Sequence, residues 1–334
     1  MQGNPLERGQ IMIRSYHGFS DWIVMKLDTD DLLNDYTFGI ELEVQKGVSD
    51  VPIDRMSDIL EEEFGNLFVY ERDGSIGIGF EIISQPMTWN YFKKNIAKFK
   101  KLFELLNNAN YRSHNGNSCG LHVHIGKQGL GLSCEERRLF HDNTNNLEFA
   151  QNERIGNVAT NINIQLERFR DEIHRFSRRN ASQVEEWCKY LDCDIQLENG
   201  QPFINKDYIR AKTKPAVTNI RYGDRVRYRA LNLCNKNTIE LRLFRGTLKW
   251  TTFYYTMNLI NNLVFQAKLE STVVDWKDLV FRGLNIKDKA ICKDYCVERG
   301  IDLEKRKVVA LNYRKTVVKT VDKRALFRTI MNES

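Results

Sequence analysis

Apolar and polar residues alternate with a period of two in several short runs along the chain. The clearest run, Tyr36–Val44 (YTFGIELEV), has the pattern of a half-buried strand. A turn at Asp73–Gly74 separates the apolar runs Phe68–Glu71 and Gly79–Ser84, so these two runs are predicted to form a hairpin. The other predicted strands are Leu121–Ile125, Arg225–Leu233 and Thr238–Phe244, the last two paired around Cys234–Asn237.

Other segments have the period of an amphipathic helix. In Trp89–Leu106, apolar residues recur at steps of three and four, with lysines on the other face. Further helical signals are capping boxes at Ser133–Glu136 and Ser182–Glu185, helical segments up to about Arg179, and a helix over Trp250–Leu269. Because the strands are separated by helices, the sheet must be assembled from distant segments, which predicts an α+β domain.

The 334-residue chain has the composition of a soluble globular protein, with 42% hydrophobic and 28% charged residues. No apolar run reaches the roughly 20 residues of a membrane helix, and the first residues lack the apolar core of a secretory signal. We therefore expect a cytoplasmic protein without a membrane partner. The seven scattered cysteines favour buried thiols over zinc ligands, because the pairs Cys188/Cys193 and Cys292/Cys296 lack C-x-x-C spacing.

Positive charge is concentrated at the C-terminus. Residues 301–334 contain nine Lys or Arg against four Asp or Glu, in a chain of net charge +6. Such a tail is compatible with a solvated surface or with contacts to nucleic acid or an acidic partner. We divide the chain into an N-terminal extension (1–35), a central domain (36–285) and a basic C-terminal extension (286–334).

Several predicted strands carry chemically active side chains on one face. Glu41 and Glu43 alternate with apolar residues, so their carboxylates lie on one face about 7 Å apart, a spacing suited to flanking divalent cations. His122 and His124 share a face of the next such strand and are candidate metal or phosphate ligands. The remaining candidates on strands and turns are Asp73, Glu81, Glu240, Arg242 and Arg245.

Carboxylates, imidazoles and guanidinium groups on one face suit Mg²⁺ and a polyphosphate. Carboxylates hold the cations, and arginines neutralise charge in phosphoryl transfer. The chain has no G-x-x-x-x-G-K-[ST] loop, and Gly74–Gly79 fits neither the Walker nor the Rossmann pattern. A nucleotide would therefore be held by the sheet and by metal ions.

The order of four motifs resembles the amidoligase family, which is related to glutamine synthetase and glutamate–cysteine ligase. The motifs are FGIELEV, DGS followed by FEIIS, CGLHVHIG, and RYRALNL followed by TIELRLFRGTL, and they extend over about residues 36–270. A looser arginine-containing motif of the family falls near Arg178 (SRRN).

The resemblance implies a curved, mostly antiparallel sheet with helices packed on one side, and ATP and Mg²⁺ as co-substrate and cofactor. It implies an acyl phosphate intermediate and a peptide, protein or amino acid as substrate, and many family members are encoded by phages or mobile elements. The implied metal ligands are Glu41, Glu43, Glu81, His122 and Glu240. The implied nucleotide or phosphate ligands are His124, Arg242 and Arg229, and the implied catalytic residues are Arg242 and Arg245. We add Asp73 as a candidate catalytic residue that would help to deprotonate the incoming amine.

Two other functions stay open at this stage. One is a His-dependent metallohydrolase or a cupin-like oxygenase that uses His122 and His124, although Lys127 and Gln128 stand where a cupin would need a carboxylate. The other is a non-catalytic protein on a ligase-like fold. Its basic tail and the helix Gln165–Arg179 would contact nucleic acid or a partner.

Overall fold

The computed structural model describes residues 13–14, 22–25, 36–114, 119–138, 144–191, 196–198, 201–218, 227–269 and 275–304. Over these residues it is an α+β structure around an open sheet whose strand pairings are all antiparallel. The strands are β1 (Phe38–Lys46), β2 (Phe68–Glu71), β3 (Gly79–Ser84), β4 (Tyr111–Arg112), β5 (Gly120–Gly126), β6 (Gln196–Glu198), β7 (Gln201–Phe203), β8 (Leu231–Asn232) and β9 (Thr238–Arg245).

The strand order is β2-β3-β1-β5-β9-β8, and β4 pairs with the end of β1. The first strand in the sequence therefore lies in the middle of the sheet, between β3 and β5. β6 and β7 form a separate hairpin. The α-helices are α1 (Ile53–Phe64), α2 (Trp89–Lys94), α3 (Ile96–Asn108), α4 (Lys127–Leu130), α5 (Cys134–Arg138), α6 (Thr144–Arg168), α7 (Arg170–Ser177), α8 (Ala181–Trp187), α9 (Lys206–Thr218), α10 (Trp250–Lys268), α11 (Trp276–Phe281) and α12 (Ile286–Glu298).

One face of the sheet packs on the main hydrophobic core. Phe92 on α2 is fully buried, and its ring contacts Phe38 of β1 at 5.8 Å, Phe99 of α3 at 5.0 Å and Phe253 of α10 at 6.2 Å between centroids. Because side chains alternate along a strand, burying the even-numbered residues of β1 in this core turns the odd-numbered ones to the opposite face. That opposite face carries the polar residues.

Most predicted elements are confirmed within one or two residues, including the β2–β3 hairpin and the Ser133–Glu136 capping box. The single helix predicted over Trp89–Leu106 is wrong, because it is divided into α2 and α3 at Asn95. The Asn95 side chain donates to the Tyr91 carbonyl at 2.9 Å, a local bond that competes with the helical pattern.

Two further predictions are corrected. The second capping box is formed by Asn180 and Gln183, and Ser182 instead donates to the Asn180 side chain, so α8 starts earlier than expected. The strand predicted over Arg225–Leu233 is reduced to β8 among the described residues, and Arg225 lies outside them. The predicted helix Gln165–Arg179 is divided at Phe169 between α6 and α7.

The start of the predicted C-terminal extension packs on the same core as the sheet. Cys292 and Cys296 of α12 are fully buried there, and the Tyr295 hydroxyl donates to the Phe176 carbonyl at 3.3 Å. The domain boundaries at residues 35 and 286 stay predictions. Cys193 and residues 305–334, which include most of the basic tail, lie outside the described residues. In the part of the chain that the structure describes, no helix has the length and apolar character needed to cross a membrane.

Candidate active site

The face of the sheet opposite the core brings together polar residues from six strands, β1, β2, β3, β5, β8 and β9. Glu41 on β1 lies opposite His122 on β5, and Glu43 lies opposite Glu81 on β3. Directly opposed residues of an antiparallel pair have Cβ atoms about 5 Å apart on the same face. The strand register therefore places side chains that are distant in sequence within reach of one ligand.

One group of potential metal ligands consists of Glu41, His124 and Glu240, which we call the Glu41 group. Each residue offers a ligand atom, and the three atoms lie within 4.8 Å of one another. His124 Nε2 is 2.9 Å from Glu41 Oε1, yet this nitrogen has no hydrogen bond of good geometry among the described residues. Asn232 on β8 donates to Glu240 Oε2 at 2.7 Å and fixes that carboxylate.

A second group consists of Glu43, Asp73 and Glu81, again with ligand atoms within 4.8 Å of one another, and we call it the Glu43 group. The Gly120 N–H donates to Glu43 Oε2 at 2.6 Å. Asp73 caps a short 3₁₀ turn by accepting from the Ser75 N–H at 2.8 Å. Hydrogen bonds to the backbone thus orient two of the three carboxylates.

His122 lies between the two groups and is 5% exposed. Its Nδ1 is 3.4 Å from Glu41 Oε2 and 3.5 Å from Glu240 Oε1, while its Nε2 is 3.9 Å from Glu43 Oε1. The structure thus groups His124 with two carboxylates and places His122 in contact with both groups. The separate roles expected for the two histidines stay predictions.

The electrostatics of the two groups differ. Burial, reinforced by the Glu41, Glu43 and Asp73 carboxylates, raises the pKa of Glu81 to about 10. Burial alone would lower the pKa of His124, but the Glu41 and Glu240 carboxylates raise it to about 9. Burial would likewise raise the pKa of Glu41, but His124 and His122 hold it well below its ordinary value. Without a cation, the site therefore holds protons on Glu81 and His124 at neutral pH.

A bulge in β9 determines where Arg245 lies. Leu121 pairs with Phe244 and Val123 pairs with Leu241, so two residues of β9 stand opposite the single residue His122. With strict alternation Arg245 would point into the core, whereas the extra residue returns it to the polar face, opposite Gly120. Bulges of this kind often redirect side chains near active sites.

Three arginine side chains lie on or beside the polar face, near both ligand groups. Arg179, two residues after the end of α7, is 4% exposed, and its Nη2 lies over Gly120, 2.8 Å from where a Cβ atom would be. Arg242 forms an ion pair with Glu240. Within the described ranges, the Nε atoms of Arg179, Arg242 and Arg245 are buried without a hydrogen-bond partner, so three guanidinium groups retain donors for an anion.

Both ligand groups, His122, Arg179 and Arg242 line a cavity of about 1150 Å³. That volume is somewhat above the upper end of the range of about 300–1,000 Å³ that is typical of a pocket for one small ligand. Its walls include Trp187 and Tyr228, whose rings meet edge to face at 5.8 Å, and Arg242 lies 6.0 Å from the Tyr228 ring. The space is adequate for a nucleotide and a second substrate together.

Three residues around the cavity differ from expectation. Arg245 lies on the polar face of the sheet but is not among the residues that line the cavity. Arg229 is not among the lining residues, since its Nη1 donates to the Tyr190 carbonyl at 2.7 Å, and Arg227 lines the cavity instead. Glu71 on β2, which sequence reasoning missed as a site residue, is 2% exposed, lies opposite Glu81 and also lines the cavity. The β2–β3 register places Glu71 on the same face as Glu81, so knowledge of that register would have revealed Glu71 as a site residue.

Comparison with known proteins identifies the family. The model of a protein family described as "Putative amidoligase enzyme" matches residues 60–261. The chain belongs to the amidoligase family. This is a family of carboxylate–amine ligase-like enzymes, and membership implies the use of ATP.

Similarity beyond the family is distant. A crystal structure of a bifunctional glutathione synthetase from Pasteurella multocida matches with 10% identity and a TM-score of 0.39. The match covers 80% of this chain and 47% of that one, so the amidoligase chain spans about half the length of the solved protein. No curated protein sequence matches the chain.

The amidoligase match starts after β1, so it does not include Glu41 and Glu43. The fold adds these two residues, because β1 pairs with β3 and β5, whose Glu81, His122 and His124 are within the match. Each of the two ligand groups takes one carboxylate from β1 and the rest from matched segments. The complete arrangement thus needs a strand that sequence comparison leaves out.

The ligand sets fit hard divalent cations. Three carboxylates in the Glu43 group supply the oxygen ligands that Mg²⁺ prefers. The Glu41 group has two carboxylates and one imidazole, a set that is compatible with Mn²⁺ as well. The Nε2 atom of His124, which lacks a hydrogen bond of good geometry among the described residues, is the buried atom that a cation would satisfy.

Proposed function

We propose that this amidoligase uses ATP and Mg²⁺ to join a carboxylate to an amine through an acyl phosphate. The observation that carries the proposal is the pair of ligand groups. Each group contains one of the two glutamates of β1, and arginines with buried donors available to an anion lie beside them. Bound Mg²⁺ would neutralise charge on the triphosphate and polarise its oxygens.

In the first step, a carboxylate oxygen of the substrate attacks the γ-phosphorus of ATP, and ADP leaves. Arg179, Arg242 and Arg245 donate to the transferred phosphoryl group, whose negative charge they stabilise in the transition state. Their buried environment strengthens these bonds because little water competes for the donors. Glu41, Glu43, Glu81 and Glu240 hold the cations, with His124 or His122 as the nitrogen ligand.

In the second step, the nitrogen of the amine attacks the acyl carbon, and inorganic phosphate leaves with the bonding electron pair. The amine must lose a proton for this attack. Asp73 lies in the Glu43 group beside Glu81 and is our candidate for accepting that proton, directly or through water. A role as metal ligand and a role as base are distinguished by whether Asp73→Asn still binds two cations.

The substrate class follows from the proposal and from the cavity. A peptide, a protein terminus or a free amino acid would each supply a carboxylate or an amine. The wall formed by Trp187, Tyr228 and Arg227 is suited to a carboxylate that has an apolar neighbour.

The test uses thermal stability, because a ligand that binds the native state raises the melting temperature without any knowledge of the other substrates. The chain is melted with ATP, with Mg²⁺ and with both, as wild type and as Glu41→Gln/Glu43→Gln. We expect a shift that needs both ligands and is lost in the double variant. Glu61→Gln, outside the cavity, is the matched control. An equal shift in wild type and in the double variant would contradict the proposal.

A further inference from the structure

An extended segment before the sheet forms one wall of the cavity, although it precedes the amidoligase match. Trp22, Ile23 and Val24 are each about half exposed (50%, 48% and 49%). Trp22 and Val24 line the cavity, whereas Ile23 does not. Trp22 and Val24, apolar and half exposed on the wall of a polar site, suggest a surface for an apolar part of a ligand.

The segment is attached to the sheet by its backbone. The Ile23 N–H donates to Gln85 Oε1 at 2.9 Å, and the Met25 N–H donates to the Pro86 carbonyl at 2.7 Å. Gln85 is itself buried at 2% exposure. The position of Trp22 is therefore fixed by neighbouring hydrogen bonds.

The attachment point locates this wall at one end of the site. Met87 forms bridges with both Met25 and Phe38, so the segment lies beside the start of β1. Arg179 and Arg245 lie at the other end, where Arg179 Nη2 is next to Gly120 and Arg245 is opposite it. Between Gly39 and Glu43, β1 extends over about 13 Å at roughly 3.3 Å per residue. The Glu41 group and the Glu43 group lie between these two ends of the site.

We infer that Trp22, supported by Val24, packs against the base of the nucleotide. This inference rests on the proposed function. If Arg179 and Arg245 hold the γ-phosphoryl group and the other phosphates lie along the Glu43 and Glu41 groups, the nucleoside must extend toward the start of β1. At that end Gly39 adds no side chain, and a Cβ there would lie 3.5 Å from the Ser84 carbonyl oxygen and 3.8 Å from Ser84 Oγ. A flat aromatic base beside an exposed indole gains stacking energy whatever hydrogen-bonding groups the edge of the base carries.

The experiment compares binding of Mg–ATP with binding of Mg–tripolyphosphate, which has the phosphates but no nucleoside. Both ligands are titrated by calorimetry into wild type, Trp22→Ala, Trp22→Phe and Ile23→Ala. We expect Trp22→Ala to weaken ATP binding about tenfold and to change tripolyphosphate binding less than about twofold. Trp22→Phe keeps most of the ATP affinity. Ile23→Ala, equally exposed but outside the cavity lining, binds both ligands as wild type does.

The outcomes separate this inference from the proposed function. Wild type that binds neither ligand overturns both. Wild type that binds both ligands while Trp22→Ala leaves ATP affinity unchanged overturns the stacking inference alone. Equal weakening of both ligands by Trp22→Ala also overturns it, because the side chain would then act on the phosphates or on the fold.

Discussion

Gly120 gives Arg179 its place in the site, since a Cβ atom on Gly120 would lie 2.8 Å from Arg179 Nη2. The same Cβ would lie 2.8 Å from His122 Nε2. The Gly120 N–H also orients Glu43. A residue without a side chain thus allows a buried guanidinium and an imidazole to lie side by side above the sheet.

We expect Gly120→Ala to reduce binding of Mg–ATP by about tenfold or more, because Arg179 must move away and lose its contact with the phosphates. The fold should remain, because Arg179 is flexible enough to yield without moving the backbone. Calorimetric titration with Mg–ATP measures the effect. Gly74→Ala is the matched control, since a Cβ atom at that position would have nothing within 4 Å. Unchanged affinity in Gly120→Ala would show that Arg179 does not contact the nucleotide.

The two ligand groups predict two bound cations, each of which can be removed by a substitution without loss of the other. Glu240→Gln should remove the cation of the Glu41 group, and Asp73→Asn should weaken the cation of the Glu43 group. Titration with Mn²⁺, followed by electron paramagnetic resonance, counts the bound ions with ATP present. We expect two ions in wild type and one in Glu240→Gln. Two ions in Asp73→Asn would favour the role of Asp73 as a base over its role as a ligand.

The pKa values predict how the stability of the metal-free protein depends on pH. The pKa of Glu81 rises from its ordinary value of 4.5 to about 10 on folding, and that of His124 rises from 6.5 to about 9. Both groups thus bind protons more tightly in the native state. Between pH 6.5 and 9 the folded chain retains protons that the unfolded chain has lost, so the free energy of unfolding falls as pH rises. Glu41, whose pKa is lowered, changes the free energy of unfolding at acidic pH and not between pH 6.5 and 9.

Urea denaturation with a chelator at about pH 6.5, 7.5 and 9 measures this decrease. Glu81→Gln, which mimics the protonated state, should flatten the dependence, and saturating Mg²⁺ should reverse it by displacing both protons. Stability that rises over this range in the chelated wild type would mean that these two groups do not hold the protons assigned to them.

Catalysis should depend strongly on Glu41. We expect Glu41→Gln to lower turnover by several orders of magnitude with the fold intact, because the amide cannot replace a charged ligand at a buried cation site. The assay is ADP release with an amine and a carboxylate identified by screening. Glu61→Gln serves as the control for loss of one carboxylate outside the cavity. Near-normal turnover in Glu41→Gln would contradict its role as a metal ligand.

The aromatic core supports the polar face from behind. Phe92→Ala should cost about 3–5 kcal/mol of unfolding free energy, because it leaves a cavity among Phe38, Phe99 and Phe253. Phe149→Ala, at a position that is 67% exposed, should change stability by less than about 0.5 kcal/mol. Chemical denaturation of both variants gives the comparison. A similar loss in both would argue against this assignment of the core.

Local patterns predicted much of this protein correctly. Alternation in Tyr36–Val44 located the strand and put Glu41 and Glu43 on one face, since the period of a strand is a local property. The Ser133–Glu136 capping box was likewise visible, because its bonds join neighbouring residues. Where two local signals compete, prediction failed, as at Asn95, whose side chain interrupts a helix that the apolar pattern continues.

The sequence by itself determined which residue types face each side of each strand and, through its motifs, the amidoligase family. Only the tertiary structure decided which strands are neighbours, and therefore that Glu41 joins His124 and Glu240 while Glu43 joins Asp73 and Glu81. It also decided that Arg245 lies on the polar face of the sheet, since a bulge reverses alternation without a distinctive local pattern. The physical reason is that strand order and register depend on contacts between segments far apart in the chain, which the residues of one segment do not specify.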